Sequence, residues 1–189
     1  NGWARRTGVL DAQDLKLINS YFESKQGSFN LSSVVHQGAL TQNDHIRGDM
    51  YVAANLEAPA PELVKVVKMV RDIATKLRES GFVIDGFPLH PTYIPALHCF
   101  KKHVDIYGDI GGEIVTFMFY VHESWVASDG GNLILYDYED RVLGDFYPEP
   151  GSFVILLSRK IPHEVRICKR ERRSIAGWFH DRPFQGKKF

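Results

Sequence analysis

The sequence predicts an α+β fold in which two N-terminal helices support a larger antiparallel β structure. Three features predict it. Helical apolar stripes are confined to the first part of the chain. From about Tyr93 onward the pattern changes to β-branched and aromatic runs punctuated by Gly and Pro, and no long helical stripe interrupts them. Helices first and about eight short strands afterwards describe a sandwich or barrel with the helices packed on one sheet.

In "DAQDLKLINSYFES", Asp11 is the N-cap, Asp14 takes the third helical position, and Leu15, Ile18, Tyr21 and Phe22 follow at helical spacing. The Ser- and Asn-rich stretch around "SVVHQGALTQND" reads as loop, and "IRGDMYVAAN" as a short strand. A second helix is predicted over "APELVKVVKMVRDIATKLRESG", where Leu63, Val66, Val67, Val70, Ile73, Ala74 and Leu77 form one stripe that ends at Gly81. The strands are then read in "EIVTFMFYVH", "GGNLILYDY", "GSFVILLS", "HEVRICK" and "RRSIAGWFH". Gly130-Gly131 reads as a tight turn.

At 189 residues, 44% apolar and 24% charged, the chain suffices for one well-buried core. Lys+Arg and Asp+Glu balance at 23 each, so no global field recruits nucleic acid or an anionic membrane. Cys99 and Cys168 are expected to be free thiols in a reducing compartment. No apolar run approaches the ~18 residues of a membrane span. The start "NGWARRTGVL" lacks an initiator Met and a signal-peptide apolar region, as expected of a trimmed or processed chain. A cytoplasmic monomer, with the nucleus as a second location and neither nucleic acid nor membrane as partner, is the expectation.

In "KKHVDIYGD", His103 and Asp105 stand two apart, so on a strand the imidazole and carboxylate share a face. His163 in "IPHEV" opens a strand well downstream, where a rolled sheet can bring it beside that pair. Two histidines and one carboxylate cover one face of an octahedral metal and leave positions open, the arrangement expected of non-haem Fe(II) oxygenases. Arg172 lies a strand and a turn further on, and its planar guanidinium suits bidentate capture of a carboxylate. On this reading the metal is chelated by one end of a dicarboxylate and Arg172 holds the other, while Arg173 points oppositely and is solvated.

Together, "IRGDMYV", Tyr93, "HVD", "VTFMFYVHESW", "GGNLILY", "PHEV" and "RRSIAGWF" resemble the Fe(II)- and 2-oxoglutarate-dependent dioxygenases of the prolyl 4-hydroxylase superfamily. The likeness is greatest to the oxygen-sensing prolyl hydroxylase domains that act on hypoxia-inducible factor and to their bacterial and protist relatives. It implies a double-stranded β-helix, or jelly roll, over 82–182, with 1–81 as helical support and substrate-loop region of a single domain spanning 1–189. It also implies His103, Asp105 and His163 as iron ligands and Arg172 as partner of the distal carboxylate of 2-oxoglutarate. Tyr120 would share that carboxylate, Tyr93 would stand near the chelating end, Leu133 and Trp178 would line the pocket, and Ser174 completes an R-x-S pattern.

The implied activity is 4-hydroxylation of a proline in a protein substrate. Fe(II), 2-oxoglutarate and O2 are required, ascorbate is an optional reductant, and succinate and CO2 are released. Hydroxylation of another residue or a small molecule, and a noncatalytic jelly-roll binding module, are the alternatives. Glu113 stands where the sensing enzymes usually carry a basic residue, which reverses the charge at an expected substrate contact. "GWFH" resembles the ribosomal-protein prolyl hydroxylase branch. His36, His45, His90, His98, His122 and His180 lack ligand-like partners in the sequence and read as structural. Arg47 and Asp49 read either as substrate contacts or as a pair tying down a strand. The loop near 32–45 and "SWVASDGG" are the lid candidates.

Overall fold

A computed structural model describes residues 2–36, 39–43, 45–105 and 112–183. In chain order the first elements are β1 (Trp3–Arg6), α1 (Ala12–Ser24), β2 (Asn30–Leu31), β3 (Val34–His36), β4 (Ala39–Thr41), β5 (Met50–Tyr51) and α2 (Val64–Glu79). Strands β6 (Leu89–Ile94), β7 (Phe100–His103), β8 (Glu113–Tyr120) and β9 (Leu133–Tyr136) follow. The chain continues through β10 (Val142–Phe146), β11 (Phe153–Leu157), β12 (His163–Val165) and β13 (Arg172–His180). A seven-stranded sheet runs β1-β11-β8-β13-β6-β5-β2, and a four-stranded sheet runs β10-β9-β12-β7. Within both, every pairing is antiparallel.

Local chemistry explains the helix ends. Asp11 accepts the backbone N–H groups of Gln13 and Asp14, both at 2.9 Å, while the Asp14 carboxylate accepts the Asp11 N–H at 2.8 Å. That capping box satisfies N–H groups that have no partner inside the helix. Pro61, in the 3-10 turn leading into α2, has no N–H to leave unsatisfied, and Lys76 and Arg78 sit in the last turn of α2, where cations suit the helix dipole.

Both helices cover one face of the large sheet. Leu15, Ile18, Tyr21, Phe22, Val66, Val67, Val70 and Ala74 are buried against Val115, Phe117, Phe119, Ile175 and Phe179. The intervening residues of the same strands, Met118, Tyr120 and Ala176, turn the other way and meet Leu133, Leu135 and Val165 of the small sheet. Period-2 alternation on β13 therefore sends Arg172, Ser174 and Trp178 into the space between the sheets.

Three expectations are corrected. The polar stretch after β2 contains a hairpin of β3 and β4, whose pairing follows the short apolar pieces on either side of Gly38, although residues 37, 38 and 44 lie outside the described ones. Only Met50–Tyr51 of "IRGDMYVAAN" is strand. Arg173 does face away from Arg172 but is half-buried rather than fully solvated, because α1 packs on that side. It pairs with Glu23 at 2.6 Å and Glu171 at 2.7 Å, and donates to Asn19 Oδ1 at 2.9 Å. The "SWVASDGG" connection is anchored by Trp125, whose indole donates to Gly130 O at 3.0 Å. Both cysteines are free thiols, and no helix among the described residues is long and apolar enough to cross a membrane.

At Gly177 β13 crosses the core with no room for a side chain: a Cβ would lie 2.3 Å from Pro88 O and 2.5 Å from Phe117 Cζ. Gly177→Ala is predicted to destabilise the fold by about 1–3 kcal/mol. A urea midpoint equal to wild type would contradict this packing.

Candidate metal centre and cosubstrate pocket

His103 ends β7 and His163 opens β12, two antiparallel neighbours of the small sheet that place these residues opposite each other. Asp105 lies just beyond β7, and its backbone N–H donates to Ser158 O at 3.2 Å. One ligand atom from each of His103, Asp105 and His163 falls within 4.8 Å of the others.

The tautomers follow from the backbone. His103 Nδ1 lies 2.7 Å from Lys101 O and His163 Nδ1 lies 3.0 Å from Ile161 O. A carbonyl oxygen only accepts, so each Nδ1 carries a proton, and in the neutral, metal-binding imidazole Nε2 is then the lone pair. Those lone pairs face the Asp105 carboxylate, His103 Nε2 at 3.3 Å from Oδ1 and His163 Nε2 at 3.6 Å from Oδ2. Acceptors facing acceptors have no hydrogen bond to make, and His103 Nε2 is buried with no partner among the described residues. The donor set fits a divalent cation.

Burial, reinforced by His103, pulls His163 down to about 4, so its imidazole is neutral at physiological pH, the form that binds metal. Burial alone would raise the Asp105 carboxyl. Against that burial, the hydrogen bond donated by the Thr116 hydroxyl favours the carboxylate form. Thr116 Oγ1 donates to Asp105 Oδ2 at 2.6 Å and stands 2.8 Å from Ser158 Oγ. The His103 ring is also fixed from the side by Phe100, stacked at 3.7 Å. Arg47 lies over that phenyl ring at 4.6 Å and pairs with Asp49 at 2.5 Å. Asp49 is buried and accepts from Ser32 Oγ at 2.6 Å, which places the Arg47–Asp49 pair as a tie beneath the metal cluster.

The other end of the inter-sheet space is built around Arg172. Its side chain is buried, its guanidinium lies 4.8 Å from the centre of the buried Tyr120 ring, and Nε and Nη2 have no hydrogen-bond partner among the described residues. Nor does the Tyr120 hydroxyl. Burial raises the Tyr120 phenol, so it keeps its proton and offers an O–H donor. A buried charge with unmet donors is costly until an anion takes them. Gly131, at φ +68°, leaves the room for this arrangement: a Cβ there would lie 3.1 Å from Arg172 Cδ and 3.2 Å from Trp125 Cζ2. These residues fit the far carboxylate of 2-oxoglutarate.

Of the remaining expected residues, Leu133 is buried in the inter-sheet core, Ser174 is buried opposite Tyr120, and Trp178 stands opposite Thr116 on the same inner face. Tyr93 is not brought to the site. It pairs in register with Arg173, so it faces the helices, and its ring meets Phe29 edge-on at 4.9 Å. Ile94 takes the inner face instead. Glu113 is buried in register with His180, so it is a packed residue rather than an exposed contact. Thr116 and Ser158 were not foreseen. Thr116 shares the strand phase of Tyr120, but its partner Asp105 comes from beyond the other sheet, which local pattern does not reveal.

Thr116→Val keeps the shape and removes the hydroxyl from Asp105. It is predicted to weaken Mn(II) binding by about 10–100-fold, measured by calorimetry. An unchanged affinity would remove Thr116 from this role.

Residues 92–180 match the family model described as the 2OG-Fe(II) oxygenase superfamily. No curated protein matches the chain. Among solved structures, a prolyl 4-hydroxylase of Pseudomonas putida is similar at a TM-score of 0.83 and 23% identity, over 96% of this chain and 94% of that one. A prolyl hydroxylase of Trichoplax adhaerens, solved with a hypoxia-inducible factor oxygen-degradation-domain peptide, gives 0.81 and 22% over 96% and 84%. The viral collagen prolyl hydroxylase of Paramecium Bursaria Chlorella virus-1, in its 2OG complex, gives 0.63 and 14% over 94% and 95%. At these identities the likeness is one of fold, the jelly roll. The matched span contains the three clustered ligands, with Tyr120 and Arg172 between the same two sheets, and is similar to the 2OG-Fe(II) oxygenase superfamily.

Proposed function

We propose that the chain is an Fe(II)- and 2-oxoglutarate-dependent prolyl 4-hydroxylase acting on a proline within a protein. One observation carries the dioxygenase chemistry: a face of two bare imidazole nitrogens and a carboxylate shares the inter-sheet space with a buried arginine and tyrosine whose donors lack partners. A binding module without turnover needs neither. The prolyl substrate rests on two fold relatives that are prolyl hydroxylases, one of them holding a peptide.

His103, Asp105 and His163 would hold the iron on one face and leave its other positions free. Thr116 keeps the carboxylate aimed, and the Lys101 and Ile161 carbonyls keep both imidazoles in the ligating tautomer. When bound, Fe(II) with 2-oxoglutarate supplies the activation of O2, and 2-oxoglutarate leaves as succinate and CO2. Arg172 and Tyr120 would receive the distal carboxylate with charge-assisted hydrogen bonds. Leu133 and Trp178 exclude water from the space between. Tyr51, His90 and Trp178 form an aromatic series with centroids 5.1 and 5.7 Å apart, a flat wall suited to an apolar pyrrolidine ring.

Incubation of the protein with Fe(II), 2-oxoglutarate, air and a library of proline-containing peptides tests this by mass spectrometry. The expected result is a gain of one oxygen on proline, matched by succinate. Oxidation confined to other residues or small molecules would overturn the prolyl assignment. Arg172→Ala is expected to weaken 2-oxoglutarate binding about 100-fold or more, since a buried pair losing one partner costs about 3–5 kcal/mol.

A further inference from the structure

Arg5 is the third cationic or phenolic group at the deep end of the inter-sheet space, and no motif marks it. β1 is an edge strand of the large sheet, and Arg5 stands opposite Val154, a residue of the inter-sheet core. Opposed residues of an antiparallel pair share a face, so Arg5 and Trp3 turn inward while Ala4 and Arg6 turn away. The Arg5 guanidinium lies 5.4 Å from the centre of the Phe146 ring and pairs through Nη2 with Glu149 at 2.5 Å. Its Nε is buried without a hydrogen-bond partner among the described residues. The Arg5 charge also acts on the buried Tyr120 phenol, second to Arg172 among the cations. Val154 in turn pairs with Met118, which shares its face with Tyr120, so three side chains from three strands leave donors unmet among the described residues on one inner face.

We propose that Arg5 is a positioning residue of the cosubstrate site, adding a second positive charge behind Tyr120 that strengthens capture of the distal carboxylate. This rests on the 2-oxoglutarate reading above. The carboxylate of Glu149 does not cancel the effect, because it is the more exposed partner, 36% against 22% for Arg5, and water screens it more. The pair is thus polarised, with the cation toward the core and the anion toward solvent. Arg172 makes the direct contact, and Arg5 acts through the field and through Tyr120.

The charge account makes the two halves of the ion pair behave oppositely, which a purely structural role does not. Calorimetric titration of 2-oxoglutarate into the Mn(II)-loaded protein is the measurement. Arg5→Gln is expected to raise the 2-oxoglutarate Kd about fivefold with Mn(II) affinity unchanged, and Glu149→Gln to lower it by removing the opposing charge. 2-Oxovalerate, which has the 2-oxo acid head but no distal carboxylate, is expected to bind wild type and Arg5→Gln equally. If both variants weaken 2-oxoglutarate binding alike, or if Arg5→Gln leaves it unchanged, the proposal is overturned. Glu149→Gln retains the Arg5 charge and decides the sign even if Arg5→Gln fails to fold. Arg172→Ala separates the two levels: its loss of binding with no Arg5 effect sinks only this inference, whereas unchanged binding sinks the 2-oxoglutarate reading as well.

Discussion

Two imidazole lone pairs aimed at one carboxylate repel each other until a cation sits among them. The fold accepts that repulsion because it fixes all three side chains from behind. Carbonyl oxygens of Lys101 and Ile161 hold the histidine Nδ1 protons, Thr116 holds Asp105, and Phe100 stacks on His103. The rest of the architecture serves this cluster. The small sheet supplies both histidines on adjacent strands, and the large sheet supplies Thr116 and the anion-binding groups across the gap.

The same logic of unmet demand governs the deep end. Arg172 and Tyr120 are buried with donors unmet among the described residues, and Gly131 gives up its side chain so that the arginine stem can pass. A protein that needed these residues for packing alone would do better with apolar ones of similar volume. Their retention in a dry space is best explained by a ligand that brings a carboxylate. The cost is offset elsewhere by the packing of α1 and α2 on the opposite face of β8 and β13, against Val115, Phe117, Phe119, Ile175 and Phe179.

Much of this was legible in the sequence, and the reason is local periodicity. His103 and Asp105 share a strand phase, Arg172 and Ser174 share another, and Asp11 with Asp14 announces the first helix. The misreadings have a common cause in register. Tyr93 forms part of the family likeness, but pairing with Arg173 turns it toward Phe29, and Ile94 takes the inter-sheet face instead. Arg173 read as solvated because nothing local says that α1 covers its face. Thr116 and Arg5 were invisible for the same reason, since each acts on a group far along the chain. Strand phase can be read from a sequence, but the neighbour across the sheet cannot.

The central claim is that one metal ion and one dicarboxylate span the space between the sheets. A crystal structure of the protein grown with Mn(II) and 2-oxoglutarate tests it most directly. The account predicts a single ion bonded to Nε2 of His103, Nε2 of His163 and an Asp105 oxygen, with the distal carboxylate on Arg172 and Tyr120. A metal bound elsewhere, or a 2-oxoglutarate whose far carboxylate points away from Arg172, would contradict it.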